Sequence, residues 1–290
     1  MSKKKIVVIT GPTASGKSEI AHTLKDIFGG ILISADSMQV YKHMNIGTAK
    51  SSAYLTNIVE PNEDFTVFDY VKLARKLIEE TQNLPILVGG STFYLHGVLY
   101  GTNFIENINN KYRKELEILS SEELFEKLTE IDLETAKTLH KNNRKKVIRA
   151  LEFYETHQIK LSSHNEIEKK RELVYDSKIF IINKERDVLY ERINNRVDIM
   201  IQEGLVDEVK ILLEMGYTKS MKSMNAIGYK EIIEHLEGDT SLEEAINKIK
   251  QNTRNFAKRQ LTWLRNKTEG VWTNFTNDKE DIIKSIEKWL

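Results

Sequence analysis

The chain has 290 residues, of which 40% are apolar and 30% are charged, a composition typical of a globular protein with a buried core. Its 43 basic and 43 acidic residues cancel, so the net charge predicts no partner. The absence of cysteine excludes disulfides, thiolate metal sites, iron–sulfur clusters and cysteine nucleophiles. No run approaches the ~20 apolar residues of a membrane span, and the apolar run after the basic N-terminus is too short for a signal peptide. We therefore expect a cytoplasmic protein with no membrane partner.

The first predicted elements are a strand, a glycine-rich loop and a helix. Ile6–Ile9 is an apolar run typical of a buried strand, and Glu19–Phe28 has the pattern of a helix. The loop between them has glycines at its first and sixth positions, followed by Lys-Ser, as in phosphate-binding loops. Its residues are Gly11, Pro12, Thr13, Ala14, Ser15, Gly16, Lys17 and Ser18. A chance glycine turn is the alternative, and the flanking strand and helix argue against it.

This loop predicts a di- or triphosphate ligand. Its backbone N–H groups and the dipole of the following helix would face a phosphate. Lys17 would add a positive charge, and the Ser18 hydroxyl would be a ligand for Mg²⁺. The pattern leaves open whether the ligand is a nucleotide such as ATP.

Strands and helices continue to alternate over the first hundred residues. Ile31–Ile33 predicts a second strand that leads to Asp36, Thr66–Asn83 predicts a helix, and Pro85–Val88 predicts a third strand that leads to Ser91. This alternation predicts an α/β fold with a P-loop NTPase-like parallel sheet, in which ligands bind at the carboxyl ends of the strands. Asp36 and Ser91 would therefore lie at that edge, beside the phosphate loop.

The two strand ends carry different chemistry. Asp36 has three interpretations: it organises Mg²⁺ through water, takes a proton from a substrate, or caps the next turn. The third strand ends in Gly89-Gly90-Ser91-Thr92, where ATPases commonly have an acidic residue. Glycines allow close approach to the backbone and hydroxyls can hydrogen-bond a substrate. This ending disfavours ATP hydrolysis and favours transfer of a group to an acceptor.

The rest of the chain is predicted to be mostly helical. Asn110–Leu161 is charged and has no strand candidate, whereas Ile179–Ile182 predicts a strand that returns to the sheet. Later helices are predicted at Val188–Glu203, Val206–Met215 and Leu242–Arg265. We therefore expect a core domain of residues 1–106 and 176–290 and an inserted helical subdomain of residues 107–175.

Two segments are basic and contain no acidic residue. Lys248–Lys267 has seven basic residues, and Lys141–Arg149 has five in nine. In a neutral protein such segments indicate a surface for a polyanion, although a solvated helix face is the alternative. Arg254, Lys258 and Arg265 fall on one helical face. The interleaved Phe256 and Trp263 belong either to the core or to a surface that stacks on bases.

Several stretches, in order along residues 6 to about 266, resemble the tRNA dimethylallyltransferases. Besides the phosphate loop, these stretches are Asp36–Tyr41, Asn45–Lys50, Gly89–Ser91 with Tyr94, Val147–Glu152, Asn225–Lys230 and Lys258–Arg265. The family usually has Thr at the position of Ser91, and the hydroxyl is retained. The chain is similar to the bacterial type, because without cysteine it cannot form the zinc finger of the eukaryotic enzymes.

The resemblance implies transfer of a dimethylallyl group from its diphosphate to the exocyclic N6 amine of the adenosine immediately 3′ of the anticodon. Dimethylallyl diphosphate, rather than ATP, would occupy the phosphate loop. Asp36 would accept a hydrogen bond or proton from the amine, and Ser91 would hold the amine or a diphosphate oxygen in line. Lys17, Arg196 and Mg²⁺ bound to Ser18 would stabilise the departing diphosphate. Arg192 and Arg196 lie one helical turn apart, so the alternative is that they form salt bridges on the surface of a helix.

The implied partner is the anticodon stem-loop of tRNA, bound by a monomer. The inserted helical subdomain of residues 107–175 would then be a tRNA-binding subdomain. The target base would have to leave the anticodon stack to reach the site. The implied tRNA contacts are Asp36, Ser37, Met38, Gln39, Ser91, Arg113, Lys145, Lys146, Val147, Ile148, Arg149, Asn225, Ala226, Ile227, Gly228, Tyr229, Lys230, Lys258, Arg259, Gln260, Leu261, Thr262, Trp263, Leu264 and Arg265.

Two other functions compete with this one. A small-molecule P-loop kinase would use the same loop and Asp36, but it leaves the basic segments and the Gly-Gly-Ser strand end unexplained. A non-catalytic nucleic-acid-binding module would hold a nucleotide on the loop and would not need Asp36.

Overall fold

The structure, a computed structural model, describes residues 3–101, 110–169 and 171–290. The chain divides into two compact units: Met1–Leu99 with Leu173–Leu290, and Tyr100–Glu172. The predicted domain boundary at residues 106/107 lies outside the described residues. Within the described ranges, no helix has the length and apolar character needed to cross a bilayer.

The first unit contains a parallel five-stranded sheet with the order β2-β3-β1-β4-β5. Along the chain its strands are β1 (Lys5–Thr10), β2 (Ile31–Ser34), β3 (Pro85–Gly89), β4 (Asp176–Ile182) and β5 (Val271–Thr273). Every neighbouring pair is parallel. Parallel pairing requires crossover connections, and at least one helix lies between each strand and the next along the chain. The predicted α/β fold with a parallel, P-loop-like sheet is confirmed.

The register of the sheet places three strand ends at one edge. Thr10 of β1 pairs with Gly89 of β3 and with Ile181 of β4, and Ser34 of β2 pairs with Val88. The segments that follow β1, β2 and β3 are the phosphate loop and those that carry Asp36 and Ser91. All three therefore begin at the same edge of the sheet, as the sequence predicted.

Helices surround this sheet within the first unit. They are α1 (Lys17–Phe28), α2 (Val67–Glu80), α3 (Thr92–Tyr100), α9 (Arg186–Gln202), α10 (Leu205–Glu214), α11 (Tyr229–Leu236), α12 (Leu242–Lys267) and α13 (Phe275–Trp289), with a 3₁₀ turn at Ser223–Asn225. Ile20 and Leu24 of α1 and Ile282 and Ile286 of α13 pack against the sheet in one core cluster. Burial of each such side chain contributes about 1.5–3 kcal/mol.

The described residues of the second unit, 110–169 and 171–172 with the end of α3, contain five further helices. They are α4 (Asn110–Ile118), α5 (Ser121–Ile131), α6 (Leu133–Thr138), α7 (Arg144–His157) and α8 (Leu161–Lys169). Its core contains Leu124, Leu128, Val147 and Leu151, so it has a hydrophobic centre of its own. Ser120 begins α5 in a capping box with Glu123, which explains why the helix starts at that point.

Some elements of the structure were not predicted from the sequence. Helix α3 is apolar on most of its surface, so it lacks the single apolar stripe that identifies an amphipathic helix. Strand β5 has only three residues, two of them exposed, which is too short for a recognisable pattern. Helices α11 and α13 were also missed.

Candidate active site

The phosphate loop turns tightly between β1 and α1. Gly11 has a φ of 147°, and a Cβ at this position would lie 2.2 Å from the carbonyl oxygen of Ile182 on the next strand. Gly16 has a φ of 98° and precedes the first residue of α1. Both glycines have a positive φ, which other residues rarely adopt. Gly11 is also too close to the Ile182 carbonyl oxygen to carry a side chain. Among the described residues, the buried hydroxyls of Thr10 and Ser15 have no hydrogen-bond partner, as expected beside a polar ligand.

Two helices supply cations to a cavity beside this loop. Lys17 is the first residue of α1, and Arg192 and Arg196 lie one turn apart on α9. The cavity is lined by Ala14, Gly16, Lys17, Ser18, Glu19, Arg192, Asn195, Arg196 and Ile199. The Lys17 ammonium donates to the carbonyl oxygen of Pro12 at 2.6 Å, and Arg192 Nε donates to that of Ala14 at 2.9 Å. Arg192 therefore contacts the loop, and Arg196 lines the same cavity.

The electrostatics of the cavity favour an anion. Burial, followed by the nearby charge of Arg196, lowers the pKa of Lys17 to about 7, while Asp36 acts in the opposite direction. Burial also lowers the pKa of Arg196. Two desolvated cations in close proximity are unfavourable unless an anion joins them. A diphosphate would supply that negative charge.

Asp36 and Ser91 are held at the adjoining strand ends. Asp36 Oδ1 accepts a hydrogen bond from the Met38 N–H at 2.9 Å. Ser91 Oγ accepts from the Ser37 N–H at 2.8 Å and donates to Ser37 Oγ at 3.2 Å. The Ser91 N–H in turn donates to the carbonyl oxygen of Ala35 at 3.0 Å. Among the described residues nothing donates to Asp36 Oδ2, so this oxygen is available to a substrate.

Asp36 lies among three cations. Its charge raises the pKa of Lys17, of Arg196 and of Lys50, in each case against the stronger effect of burial. Burial lowers the pKa of Lys50 to about 8, and its ammonium donates to the carbonyl oxygen of Tyr41 and to Asn57 Oδ1. The carboxylate is thus electrostatically coupled to the phosphate-loop cations.

The segment after Asp36 is folded onto itself by a buried glutamine. Gln39 Oε1 accepts from Ser34 Oγ at 2.9 Å, and its Nε2 donates to the carbonyl oxygens of Thr48 and Ala49. Gln39 therefore connects the end of β2 to the Asn45–Lys50 stretch. Since its amide is fully engaged and buried, its side chain acts on the segment rather than on RNA.

A carboxylate on α10 holds the other end of this segment. Glu208 accepts hydrogen bonds from the backbone N–H groups of Asn45, Ile46 and Gly47. It also accepts from the hydroxyl of Tyr229 at 2.6 Å, and a Cβ on Gly47 would lie 2.4 Å from the Tyr229 ring. Glu208 was missed from the sequence, since its three backbone donors lie more than 160 residues away.

The residues that the resemblance assigned to tRNA differ in exposure. Exposed residues are Arg113, Lys145, Lys146, Arg149, Asn225, Lys230, Lys258, Arg259, Thr262 and Arg265. Partly exposed residues are Asp36, Ser37, Met38, Ser91, Ala226, Ile227, Leu261 and Trp263. Buried residues are Gln39, Val147, Ile148, Gly228, Tyr229, Gln260 and Leu264. Because the buried side chains present no surface to a ligand, the residues that can contact RNA directly are the exposed and partly exposed ones.

In the helical unit, the exposed residues Lys145, Lys146 and Arg149 lie on α7, whose Val147 and Ile148 face the core of that unit. Arg113 of α4 is engaged with acids: its Nε donates to Glu117 and its Nη1 to the buried Glu152. Contact with a phosphate by Arg113 would have to compete with these two carboxylates.

The fold and this site define a class of protein. A phosphate loop with desolvated cations stands beside a carboxylate and a hydroxyl at the same sheet edge, and Gly89 and Gly90, rather than an acid, end β3. This is the arrangement of a P-loop enzyme that transfers a group from a phosphorylated donor to an acceptor.

Similar proteins show which family of P-loop enzymes the chain belongs to. The model of the IPP transferase family matches residues 39–267. The chain is 42% identical to the tRNA dimethylallyltransferase of Alkaliphilus metalliredigens, over 99% of both chains. It is also similar to the crystal structure of the tRNA delta(2)-isopentenylpyrophosphate transferase of Staphylococcus epidermidis, with a TM-score of 0.72, 39% identity and coverage of 99% of this chain and 100% of that one.

A eukaryotic dimethylallyltransferase acting on tRNA has the same fold, with a TM-score of 0.78 and 28% identity over 90% of this chain and 70% of that one. The chain therefore belongs to the IPP transferase family, the tRNA dimethylallyltransferases. The resemblance inferred from the sequence is confirmed, and the kinase alternative is not favoured.

Proposed function

We propose that this protein transfers the dimethylallyl group of dimethylallyl diphosphate to the N6 amine of the adenosine immediately 3′ of the anticodon in tRNA. The products are N6-isopentenyladenosine in the tRNA and diphosphate. The observation that carries the proposal is that the phosphate loop, with Lys17 and Arg196 in its cavity, and the segment of Asp36 begin at one sheet edge. A proton acceptor and an anion site stand side by side there, as a displacement of diphosphate by an amine requires.

The reaction is a direct displacement. The amine nitrogen forms a bond to the allylic carbon as the bond from that carbon to the diphosphate oxygen breaks, and the bonding pair leaves with the diphosphate. The proton released by the amine passes to Asp36, whose Oδ2 is available while Oδ1 is fixed by Met38. A positioned acceptor of this kind contributes roughly 10²–10⁴-fold to a rate.

The phosphate loop stabilises the leaving group. Lys17, Arg196 and the loop N–H groups would face the negative charge that develops on the departing diphosphate. Binding of the donor would raise the pKa of Lys17, because an adjacent anion favours the charged ammonium. Ser91, fixed through Ser37 and Ala35, holds the amine or a diphosphate oxygen in line.

The residues of the loop also fit a magnesium ion. Ser18 lies at the start of α1 and lines the cation-bearing cavity, and no group of three or more His, Asp or Glu side chains within the described ranges forms a separate metal site. Mg²⁺ prefers oxygen ligands, keeps several waters and commonly binds through substrate phosphates. Ser18 and the diphosphate would together hold the magnesium ion, and the ion would offset the negative charge of the leaving diphosphate.

The tRNA would bind through exposed basic residues of α12 and α7, including Lys258, Arg259, Arg265, Lys145 and Arg149. Contacts of this kind neutralise phosphates and do not depend on sequence. The target adenine must leave the stack of the anticodon loop to bring its amine to Asp36. The protein is also proposed to act as a monomer in the cytoplasm.

The test is a transfer assay with purified protein, unmodified tRNA, Mg²⁺ and radiolabelled dimethylallyl diphosphate. We expect label in the adenosine 3′ of the anticodon, and none in a matched tRNA with guanosine at that position. Absence of label in the first tRNA, together with ATP-dependent phosphorylation of a small acceptor, would refute the proposal in favour of a kinase.

A further inference from the structure

Helix α12 has two faces with different properties. Lys258, Arg259 and Arg265 are exposed on one side. The other side is buried, and Ala257 packs there with Leu189 of α9, against Ala14 of the phosphate loop. The only polar side chain buried on this inner face, among the described residues, is Gln260, which is 5% exposed. A buried amide needs partners, and its partners reveal its role.

The amide of Gln260 connects the two halves of the proposed active site. Its Oε1 accepts a hydrogen bond from the N–H of Thr13 in the phosphate loop at 2.9 Å. Its Nε2 donates to the carbonyl oxygen of Gly90 at 2.9 Å. Thr13 belongs to the loop that would hold the diphosphate, and Gly90 immediately precedes Ser91. One side chain thus spans the donor loop and the acceptor end of β3.

The two glycines at the end of β3 leave space for these contacts of Gln260. A Cβ on Gly90 would lie 2.3 Å from Gln260 Nε2, so only glycine leaves room for the amide. A Cβ on Gly89 would lie 2.1 Å from the carbonyl oxygen of Ala35, which precedes Asp36. The close contact of β3 with the Asp36 segment therefore continues through Gly90 to Gln260 and on to the phosphate loop.

We propose that Gln260 is a positioning residue that sets the distance between the diphosphate on the phosphate loop and the amine held at Asp36 and Ser91. The proposal rests on the function proposed above. Displacement requires the reacting atoms to be about 3–3.5 Å apart, and a misplacement of 1 Å costs roughly 10²-fold in rate. Gln260 acts through Thr13 and Gly90 and contacts neither substrate. This role differs from direct contact with tRNA, for which its side chain has no exposed surface.

The experiment compares Gln260→Met, which keeps the length of the side chain and removes both hydrogen bonds, with Gln251→Met. Gln251 is exposed on the same helix, so this control repeats the substitution without touching the site. We expect Gln260→Met to lower kcat by about 10- to 100-fold, with the KM values of both substrates within about threefold of wild type. Gln251→Met should retain wild-type kcat.

Two further measurements keep the result interpretable. Gln260→Asn retains a buried amide that is too short to span both partners, so it should lower kcat like Gln260→Met even if the methionine variant folds poorly. Gly90→Ala displaces the amide directly, and its effect combined with Gln260→Met should be clearly less than the product of the single effects, because both changes break one contact.

The outcomes separate this proposal from the proposed function. A wild-type protein that transfers no label refutes the function itself. If wild type is active and the Gln260 variants keep a kcat within twofold of it, the positioning role is overturned. It is also overturned if these variants weaken tRNA binding alone, with kcat unchanged at saturating tRNA, because that result identifies Gln260 as an RNA contact.

Discussion

The donor and acceptor halves of the site are built in different ways. The donor half is the phosphate loop, a single stretch of eight residues, with arginines added from α9. The acceptor half, around Asp36 and Ser91, depends on side chains that are distant in sequence, including Glu208 and Tyr229, and Gln260 connects it to the loop. Chemistry supplied by consecutive backbone groups leaves a local pattern, whereas chemistry held in place by tertiary contacts does not.

The two halves also differ in how their polar groups are satisfied. In the donor half, Lys17 and Arg196 are desolvated beside each other, so their charges favour an anionic ligand. In the acceptor half, Gln39, Ser91 and Glu208 are hydrogen-bonded within the protein. We therefore expect substitutions in the donor half to change ligand affinity, and substitutions in the acceptor half to change the rate of transfer.

The largest effect is expected at Asp36. Asp36→Asn keeps an oxygen for the Met38 N–H but removes the proton acceptor, so transfer should fall by roughly 10³-fold. Asp36→Ala should nearly abolish transfer. Single-turnover transfer rates and tRNA binding are measured for both variants, and tRNA binding should survive. Asp26→Asn, exposed on α1, is the control. Turnover at the wild-type rate by Asp36→Ala would refute the assignment of Asp36 as the base.

A smaller effect is expected of pH on the affinity of the donor half for diphosphate. The pKa of Lys17 is lowered to about 7, and a diphosphate favours the protonated ammonium. Affinity for diphosphate should therefore be greatest below pH 7 and fall by about tenfold between pH 6 and pH 8 through this group. Calorimetric titration of wild type against Lys17→Arg isolates the contribution, because arginine stays charged. Identical pH profiles would show that Lys17 does not titrate there.

A modest effect is expected on the basic face of α12. Arg265 is exposed and lies over the Trp272 ring, so Arg265→Ala should weaken tRNA binding a few-fold and reduce the salt slope by about 0.7–0.9 for one lost phosphate contact. We make the same prediction for Arg254→Ala, although Arg254 also donates to Asn194 at 2.6 Å. Binding is measured over a range of salt concentrations with Lys284→Ala of α13 as control. An unchanged slope would identify a solvated helix face.

The smallest effect is expected at Tyr229. Tyr229→Phe keeps the buried ring against Gly47 but removes the hydrogen bond to Glu208, so the free energy of unfolding should fall by about 1 kcal/mol. Transfer should fall only a few-fold, because three backbone donors still hold Glu208. Denaturant unfolding and kcat are measured against Tyr54→Phe, whose ring is exposed. A large loss of tRNA affinity with unchanged stability would instead favour direct contact with RNA.

The two halves of the site differ in how much of each can be predicted from the sequence. The phosphate loop, the strands β1 to β4 and the placement of Asp36 and Ser91 at one sheet edge followed from local patterns and the rules of parallel sheets. Glu208 and Gln260 as supports of the site did not, because nothing in their own segments specifies the distant backbone groups they bind. Nor could the sequence show that Tyr229 is buried, since motif similarity does not separate residues that contact a ligand from those that support them.

The most direct test of the central claim is a competition experiment on the donor half, because the proposal places a prenyl diphosphate on the phosphate loop. A non-reactive thiolo analogue of dimethylallyl diphosphate is titrated into wild type and Lys17→Met with Mg²⁺, in the presence and absence of ATP. We expect wild type to bind the analogue, Lys17→Met to bind it about 10- to 100-fold more weakly, and ATP not to displace it. Displacement of the analogue by ATP, or equal binding by both proteins, would show that the phosphate loop does not hold the prenyl diphosphate.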